Sequence, residues 1–333
     1  MAVIALGIAA LLWRPSSSWV ESVYVNGVYP GWEHALYAIS SRLPWSLGDI
    51  IVVALAGLAI WRLLRRDWLG ALAVAALTIV WFEAGWGWNY DRAPIEARTD
   101  YDAARVNERA VDAVRRLAIA NVNRLAPLAH RQLARPLDLE ALYGVWLPVV
   151  QAGGDRWTPL TGAPKPTLAD PFMTATGTSG YINPLGLDVH LASDLLGFER
   201  PFALAHEWSH IAGYAREDEA NFLAIVSCTR STIAVVQYSG WLELFLYLPP
   251  QPRYPRKTFV SQVWQDFAAM RERNRRHINV SLANFSWRTY NTYLKSNHVA
   301  SGVQNYDEVT RLYLGVARDA SGLPLPRSSE SSR

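Results

Sequence analysis

Three long apolar runs within the first ninety residues constrain the fold of this chain more than any other feature. They cover residues 2–13, 50–61 and 68–88. A bilayer core requires about 20 apolar residues in a helix, and the third run approaches that length. The second run, started at Leu47 and continued through Leu64, reaches roughly 18 residues, or about 27 Å of helix. We therefore predict a membrane domain over residues 1–92 with about three transmembrane helices. The first run lacks a small-residue cleavage site, so we expect it to be retained. The alternative is a buried helical bundle.

The connector between the second and third runs predicts the orientation. Arg62, Arg65 and Arg66 lie within five residues there, and clustered arginines next to membrane helices stay in the cytoplasm. Everything after Trp88 then emerges on the outer side, although Arg14, which would also lie outside, weakly opposes this arrangement. The sequence thus predicts an integral protein of the cytoplasmic (inner) membrane with an extracytoplasmic domain, and the lipid bilayer as a partner.

Composition narrows the class of the remaining chain. Half of the residues are hydrophobic and 18% are charged, which excludes disorder and coiled coil, and a net charge of +3 gives no reason to expect a nucleic-acid partner. Cys228 is the single cysteine, so a metal site must use histidines and carboxylates. Helical periodicity over 102–125, short strands or a hairpin at 174–183 and 189–191, and further helices over 201–318 predict a mainly α (α+β) fold with a small sheet. We expect this domain over 93–320 and a disordered tail over 321–333.

The motif that carries chemistry is H-E-x-x-H at residues 206–210. On a helix, His206 and His210 lie one turn apart and can share one Zn²⁺ ion, while Glu207 points about 100° away from His206. This position suits a general base that acts on a water molecule activated by the zinc ion. Charged residues flank the motif closely, which disfavours a metal site inside the membrane.

The third metal ligand must come from beyond a turn. In a continuous helix Glu217 would be about 10 Å past His210, and Gly213 is placed to end the helix in a left-handed conformation. A second helix would then begin near Glu217. Only one of Glu217 and Glu219 can face the metal from that helix. We choose Glu217 because it shares a small-residue face with Asn221, which we expect to support the ligands from the second shell; Glu219 is the alternative ligand.

The combination of H-E-x-x-H, a short turn and E-x-x-A-N resembles the gluzincin zinc metallopeptidases. A narrower resemblance is to the bacterial family of membrane-anchored proteins catalogued as domain of unknown function 3810. It is carried by WGWNYDR at 86–92, GYINP at 180–184, HEWSHIAGYAREDEANF at 206–222 and YLKSN at 293–297. The resemblance implies a zincin-like periplasmic or extracellular domain behind N-terminal membrane helices.

The gluzincin resemblance also implies a segment that pairs with the substrate backbone. The candidate residues are Thr178, Ser179, Gly180, Tyr181, Ile182 and Asn183. An exposed strand edge there would bind a peptide by β-augmentation, and a plain turn before a helix is an equal alternative. A zincin further needs a donor to the oxyanion of the tetrahedral intermediate. Tyr238, His298 and Tyr306 are the candidates.

Two functions follow from the sequence. The first is a membrane-anchored zinc metallopeptidase that hydrolyses peptide or protein substrates outside the cytoplasmic membrane. The second is a non-catalytic, zinc-stabilised scaffold or interaction module of the cell envelope. Glu207 favours the enzyme, because a structural zinc site has no need of an additional carboxylate beside its ligands.

Overall fold

The computed structural model describes residues 1–251, 253–296 and 306–327. It is mostly helical with one small two-stranded sheet, which confirms the predicted fold class. The N-terminal helices are α1 (Ala2–Leu12), α2 (Ser17–Trp19), a π-helix (Val20–Val28), α3 (Tyr29–Ser40), α4 (Leu47–Leu64) and α5 (Trp68–Gly85). The following elements are α6 (Ile95–Arg98), α7 (Glu108–His130), α8 (Leu139–Ala152), α9 (Asp170–Thr176), β1 (Gly180–Asn183), β2 (Asp188–Leu191), α10 (Arg200–Ile211), α11 (Glu217–Thr229), α12 (Ala234–Tyr247), α13 (Ser261–His277), α14 (Val280–Ser296) and α15 (Tyr306–Gly315).

Two helices, α4 and α5, are long and apolar enough to cross a membrane. Ser46 and Asp67 begin them, since the side chain of each accepts a hydrogen bond from the backbone N–H three residues later. Only 11% of α4 and 22% of α5 is buried inside the protein. Their apolar surfaces are therefore available to lipid.

The first apolar run differs from the prediction of an independent membrane helix. Helix α1 has 11 residues, which gives about 16 Å of length against the roughly 30 Å of a bilayer core. It packs against α5, where Gly7 lies so close to Ala76 that a Cβ at Gly7 would be 2.6 Å from the Ala76 Cβ. Within the described part of the chain, a third candidate membrane helix is found only if α1 and residues 17–40, bent by 105°, form one broken span.

The boundary predicted at residue 92 does not separate two hydrophobic cores. Tyr24, Tyr29 and Trp86 are buried in the same core as Trp146 and Trp208. The folded domain therefore includes parts of residues 1–92 outside the apolar helices. This arrangement was hidden in the sequence because aromatic side chains suit a bilayer interface and a protein core equally well.

Two boundaries in the rest of the chain also differ from the prediction. The amphipathic helix expected over 102–125 is α7, which begins after Asn107 because that side chain caps the Ala110 N–H. The tail predicted to be disordered from residue 321 is ordered through Arg327. It is held by bridges of Pro324 to Arg318 and of Pro326 to Thr99. Residues 328–333 lie outside the described part of the chain.

The predicted hairpin is confirmed for Gly180–Asn183 and Asp188–Leu191, whereas residues 174–176, expected in its first strand, belong to α9. The hairpin is attached to the ends of α4 and α5. Strands β1 and β2 are antiparallel, with Tyr181 opposite His190. Beside the turn between the strands, the Asp188 carboxylate accepts a 2.7 Å hydrogen bond from the Gly48 N–H at the start of α4. Within the turn, the Leu185 carbonyl accepts one of 3.1 Å from the Trp81 indole on α5. The hairpin therefore lies where the two apolar helices meet the folded domain.

Candidate metal centre

Helices α10 and α11 bring two histidines and one glutamate together. The Nε2 atoms of His206 and His210 are 3.0 Å apart. The Glu217 carboxylate oxygens lie 3.3 Å from the His206 Nε2 and 3.6 Å from the His210 Nε2. Among the described residues, these three form the group of ligand-type side chains whose donor atoms converge tightly enough to hold a metal ion.

The turn between α10 and α11 makes this convergence possible. Gly213 has φ +86° and follows the last turn of α10, as expected for a left-handed C-terminal cap. A side chain at this position would be strained, and its Cβ would lie 2.7 Å from the Asn89 Oδ1. Helix α11 then begins at Glu217, so the carboxylate returns to the histidines instead of continuing along the axis of α10.

Backbone contacts set the tautomer of His210. Its Nδ1 lies 2.7 Å from the Tyr214 carbonyl oxygen. Because a carbonyl only accepts, Nδ1 carries the proton and Nε2 is left with a lone pair that points at the cluster. This is the arrangement in which a metal-binding imidazole is held by its second nitrogen.

A buried ion network holds the same turn from the other side. The Arg92 guanidinium donates to the Asp155 carboxylate at 2.7 Å and to Glu21 at 3.1 Å. It also donates to the Ala212 carbonyl at 3.3 Å and lies over the Tyr214 ring at 4.6 Å. Arg92 thus connects the N-terminal π-helix to the turn that positions His210.

Electrostatics of the cluster favour a cation. Burial lowers the pKa of His210 to about 4. Burial also opposes protonation of His206, but the hydrogen bond and charge of Glu217 outweigh it and raise the pKa of His206 to about 8. Two ring nitrogens and a carboxylate that face one another need a positive charge among them. A proton on His206 supplies it in the metal-free chain, and Zn²⁺ prefers this donor set.

Glu207 lies beside the cluster without joining it. The side chain is buried, and its Oε2 atom has no hydrogen-bond partner among the described residues. Burial raises the pKa of Glu207 to about 8, although the nearby charge of His206 acts to lower it. Strand β1 passes close to it, since a Cβ at Gly180 would be 2.6 Å from the Glu207 Oε1. Glycine at 180 therefore leaves the space that this carboxylate occupies.

The cluster and Glu207 line one cavity of about 800 Å³. This volume is within the range of small-molecule and peptide sites. Most of its wall is apolar or aromatic, with contributions from Phe82, Trp86, Tyr90, Phe172, Met173, Phe202 and Tyr247. A structural metal site is normally closed by four protein ligands, whereas the group formed by His206, His210 and Glu217 faces open space.

Most of the predicted substrate strand lies at the cavity, and the predicted second-shell residue lies beside the cluster. Thr178, Ser179, Gly180, Tyr181 and Ile182 line the cavity; Asn183 is buried, and its side-chain oxygen accepts from the Leu185 N–H. Asn221 also lines the cavity and bonds to the His206 side chain, which helps to raise the pKa of His206.

Two predicted candidates are located elsewhere. Glu219, the alternative ligand, accepts the Ile95 N–H at 2.8 Å and lies 3.5 Å from the Arg98 guanidinium, so it faces away from the metal cluster. Tyr238, a predicted oxyanion donor, donates its hydroxyl proton to Asp266 and is not part of the cavity wall. Both side chains are held away from the cavity for the same reason, since each is bound by a partner on another helix.

The other two oxyanion candidates cannot be placed. His298 and the side chain of Tyr306 lie outside the described residues.

Three polar residues at the cavity were missed by sequence reasoning. Glu199 precedes α10 and pairs with Arg273, while Glu243 and Tyr247 lie on α12. Burial raises the pKa of Glu243 to about 8. A signal was present, because positions 243 and 247 are four apart and share one face of a helix whose second half is otherwise apolar.

Comparison with protein families matches residues 24–314 to the family described as Protein of unknown function (DUF3810). The match covers most of the 333 residues, so the chain belongs to this family. No curated protein and no solved structure is significantly similar to it.

Proposed function

We propose that this member of the DUF3810 family is a membrane-anchored zinc metallopeptidase of gluzincin type, with its active site outside the cytoplasmic membrane. His206, His210 and Glu217 would hold the zinc ion, and Glu207 is the general base. The observation that carries the proposal is the position of Glu207, a buried carboxylate next to the ligand cluster and on the wall of an open cavity. A scaffold has no use for this residue.

The reaction proposed is the hydrolysis of a peptide bond. A zinc ion bound at the cluster would polarise the scissile carbonyl and lower the pKa of water. Glu207 accepts a proton from the water molecule as its oxygen bonds to the carbonyl carbon. Glu207 then delivers that proton to the nitrogen as the C–N bond breaks. The second proton of the water molecule leaves the new carboxylic acid for the amine, so the products are a carboxylate and an ammonium group. Burial raises the pKa of Glu207 in the metal-free chain, and a divalent cation at the cluster would lower it towards the range in which the carboxylate accepts a proton at neutral pH.

Substrate binding is assigned to β1. This strand pairs with β2 on one side and lines the cavity along residues 178–182. A peptide added along the cavity side of β1 would gain main-chain hydrogen bonds. It would pass close to Glu207, because Gly180 lies against that carboxylate.

Tyr247 replaces Tyr238 as the proposed oxyanion donor. It lines the cavity, and its ring centroid is 6.4 Å from that of Phe202, whose ring lies 6.2 Å from that of His206. A phenol hydroxyl in this position would stabilise negative charge on the substrate carbonyl oxygen.

The test separates metal binding from turnover. We expect Glu207→Gln to keep stoichiometric zinc and to lower cleavage of a peptide library by about 10² to 10⁴-fold, the usual contribution of a general base. Zinc is measured by mass spectrometry on the purified full-length chain. Glu140→Gln, at an exposed site on α8, is the matched control. Wild-type turnover in Glu207→Gln would exclude the mechanism. Stoichiometric zinc with no zinc-dependent cleavage by the wild type would support the scaffold.

A further inference from the structure

The cavity that contains the cluster extends to the end of a candidate membrane helix. Phe82, three residues before the last residue of α5, lines it, and so does Trp86, the residue directly after that helix. At 1.5 Å per residue, Phe82 is about 5 Å along the axis from the end of α5. If α5 crosses the bilayer, this wall of the cavity lies at the membrane boundary.

Hydrogen bonds fix the neighbouring elements at the same level. The Asp49 carboxylate, in the first turn of α4, accepts the Leu168 N–H at 2.8 Å and the Thr167 hydroxyl at 3.2 Å. Thr167 in turn is 2.9 Å from the Tyr181 hydroxyl on β1. The start of α4 and the end of α5 lie at the same end of a helical hairpin. The segment before α9 and the proposed substrate strand are therefore both attached to that end.

An exposed apolar surface surrounds this side of the cavity. We name it the apolar rim and define it as Leu168, Phe172, Val280 and Phe285, whose exposed fractions are 75%, 47%, 68% and 65%. Phe172 belongs to α9 and lines the cavity, as does Ser286 next to Phe285 on α14. Helices α9 and α14 pack against each other. The rim is thus one edge of the cavity.

The position of the rim identifies what covers it. Trp45, just before α4, is 65% exposed, as expected for an aromatic residue at the bilayer interface. The rim continues from the ends of the two apolar helices, where the surrounding medium changes from lipid tails to headgroups. Apolar side chains at that depth bury their surface in the boundary between headgroups and acyl chains.

We infer that the apolar rim lies in the bilayer interface and that the substrate is a membrane-anchored polypeptide, cut a few residues from the membrane surface. This inference rests on the proposed peptidase function. A chain that leaves the bilayer beside the rim meets the aromatic wall of the cavity first and the metal cluster next. A soluble protein would have to displace lipid from the rim to reach the same site.

The location of the rim is tested without any catalytic readout. The single native cysteine, Cys228, is fully buried, so Leu168→Cys and Phe285→Cys can each be labelled with bimane in the full-length protein. The protein is placed in nanodiscs whose lipids carry a spin label near the top of the acyl chain. Leu117→Cys on α7 is the control, since Leu117 is also apolar and 48% exposed.

We expect lipid quenching at positions 168 and 285 to exceed that at 117 by at least about threefold, because only the rim lies within reach of the acyl chains. Equal quenching at all three positions would overturn the inference. The inference would likewise be overturned if positions 168 and 285 were unquenched and the protein were a dimer, because a second copy of the chain would then cover the rim.

The substrate class is tested with one peptide library presented in two forms. In one form, each sequence follows a transmembrane anchor in the same proteoliposomes as the enzyme; in the other it is free in solution. We expect preferential cleavage of the anchored form, and a loss of about fivefold in Leu168→Glu relative to Leu117→Glu. Equal cleavage of both forms would overturn the inference and leave the peptidase function standing. Cleavage of neither form would overturn both.

Discussion

Helices α4 and α11 differ in burial in the opposite sense to their side-chain polarity. In α4, the only buried residue is Gly48, although the helix is built from aliphatic side chains. In α11, every residue from Asp218 to Cys228 is buried, although its first turn carries three acidic residues. The more apolar helix is the exposed one. Water alone as solvent would favour the reverse, and a bilayer around α4 removes the contradiction.

The acidic first turn of α11 can be buried because each of its carboxylates has a polar or charged partner. Glu217 faces the two histidines, Asp218 pairs with Arg216 at 2.9 Å, and Glu219 bonds to the N-terminus of α6. Buried charges are tolerated when they are paired or bind a metal. The candidate membrane helix α4 therefore carries apolar side chains outward, whereas the core helix α11 carries buried charges that belong to the candidate site.

The first prediction tests whether α4 and α5 cross the membrane, and its outcome is all-or-none. Alkaline phosphatase fused after Arg92 should be active, and a fusion at Arg66 inactive, because the enzyme folds only outside the cytoplasm. Activity on intact cells, normalised to fusion protein, is the measurement. Activity at Arg66 with none at Arg92 would invert the orientation, and equal activity at both would remove the membrane hairpin altogether.

The second prediction separates two glutamates on α11. Glu217→Ala should weaken zinc binding more than about 100-fold, since Glu217 is a proposed ligand on the cavity wall. In the metal-free fold it should cost less stability than Glu219→Ala does, because Glu217 is partly exposed, although it loses its pairing with the two histidines. Glu219→Ala should instead cost about 3 kcal/mol of unfolding free energy, because it removes a buried carboxylate that accepts the Ile95 N–H and lies 3.5 Å from the Arg98 guanidinium. Competition with a zinc chelator and denaturant unfolding measure the two effects. If Glu219→Ala loses zinc more readily than Glu217→Ala, the third ligand must be reassigned.

The parts of the site that were predictable from sequence are those set by neighbours along the chain. The spacing of His206 and His210, the break at Gly213 and the restart near Glu217 are local consequences of helix geometry. The hairpin was predictable for the same reason. The structure brings these pieces together as the spacing implies.

What the sequence left undetermined depends on contacts between distant elements. Asp266 lies 28 residues from Tyr238 along the chain and accepts a hydrogen bond from its hydroxyl, which holds that side chain away from the site. The bend after α1 likewise reflects packing against α5. No single-chain periodicity encodes such choices, because several partners are chemically equivalent until the fold selects one.

The third prediction compares equal truncations in the two helices. Ile225 on α11 is fully buried, and Ile60 on α4 is 57% exposed. Ile225→Ala should lower the unfolding free energy by about 3 kcal/mol, because the core leaves a cavity in its place. Ile60→Ala should cost less than about 1 kcal/mol, because lipid fills the space. Unfolding of both variants in the same nanodiscs decides the point; similar losses would mean that protein covers Ile60.

The last prediction concerns the pH dependence of the metal-free protein. Burial raises the pKa of Glu207 from 4.5 to about 8, so the folded state binds this proton more tightly than the unfolded state does. Stability from this group is complete below about pH 4.5 and is lost as the pH rises through 8. With a chelator present, the melting temperature of the wild type should therefore fall more between pH 5 and pH 8 than that of Glu207→Gln. We expect a difference of several degrees, because a shift of this size corresponds to roughly 3 kcal/mol over this pH range and each kcal/mol moves the melting temperature by about 2–4 °C in a domain of this size.

Zinc should reverse the effect, and this distinguishes Glu207 from carboxylates elsewhere in the core. A divalent cation at the neighbouring cluster favours the charged form of Glu207 and lowers its pKa. Saturating zinc should therefore flatten the wild-type profile towards that of Glu207→Gln. Glu243, whose pKa is also raised to about 8 by burial, is not a member of the ligand cluster. Glu243→Gln should therefore leave the difference between the chelator-treated and the zinc-saturated profiles in place. A wild-type profile that zinc leaves unchanged would mean that the cation does not bind within electrostatic reach of Glu207. That result would contradict the catalytic role proposed for the site at α10 and α11, but it would not affect the membrane assignment of α4.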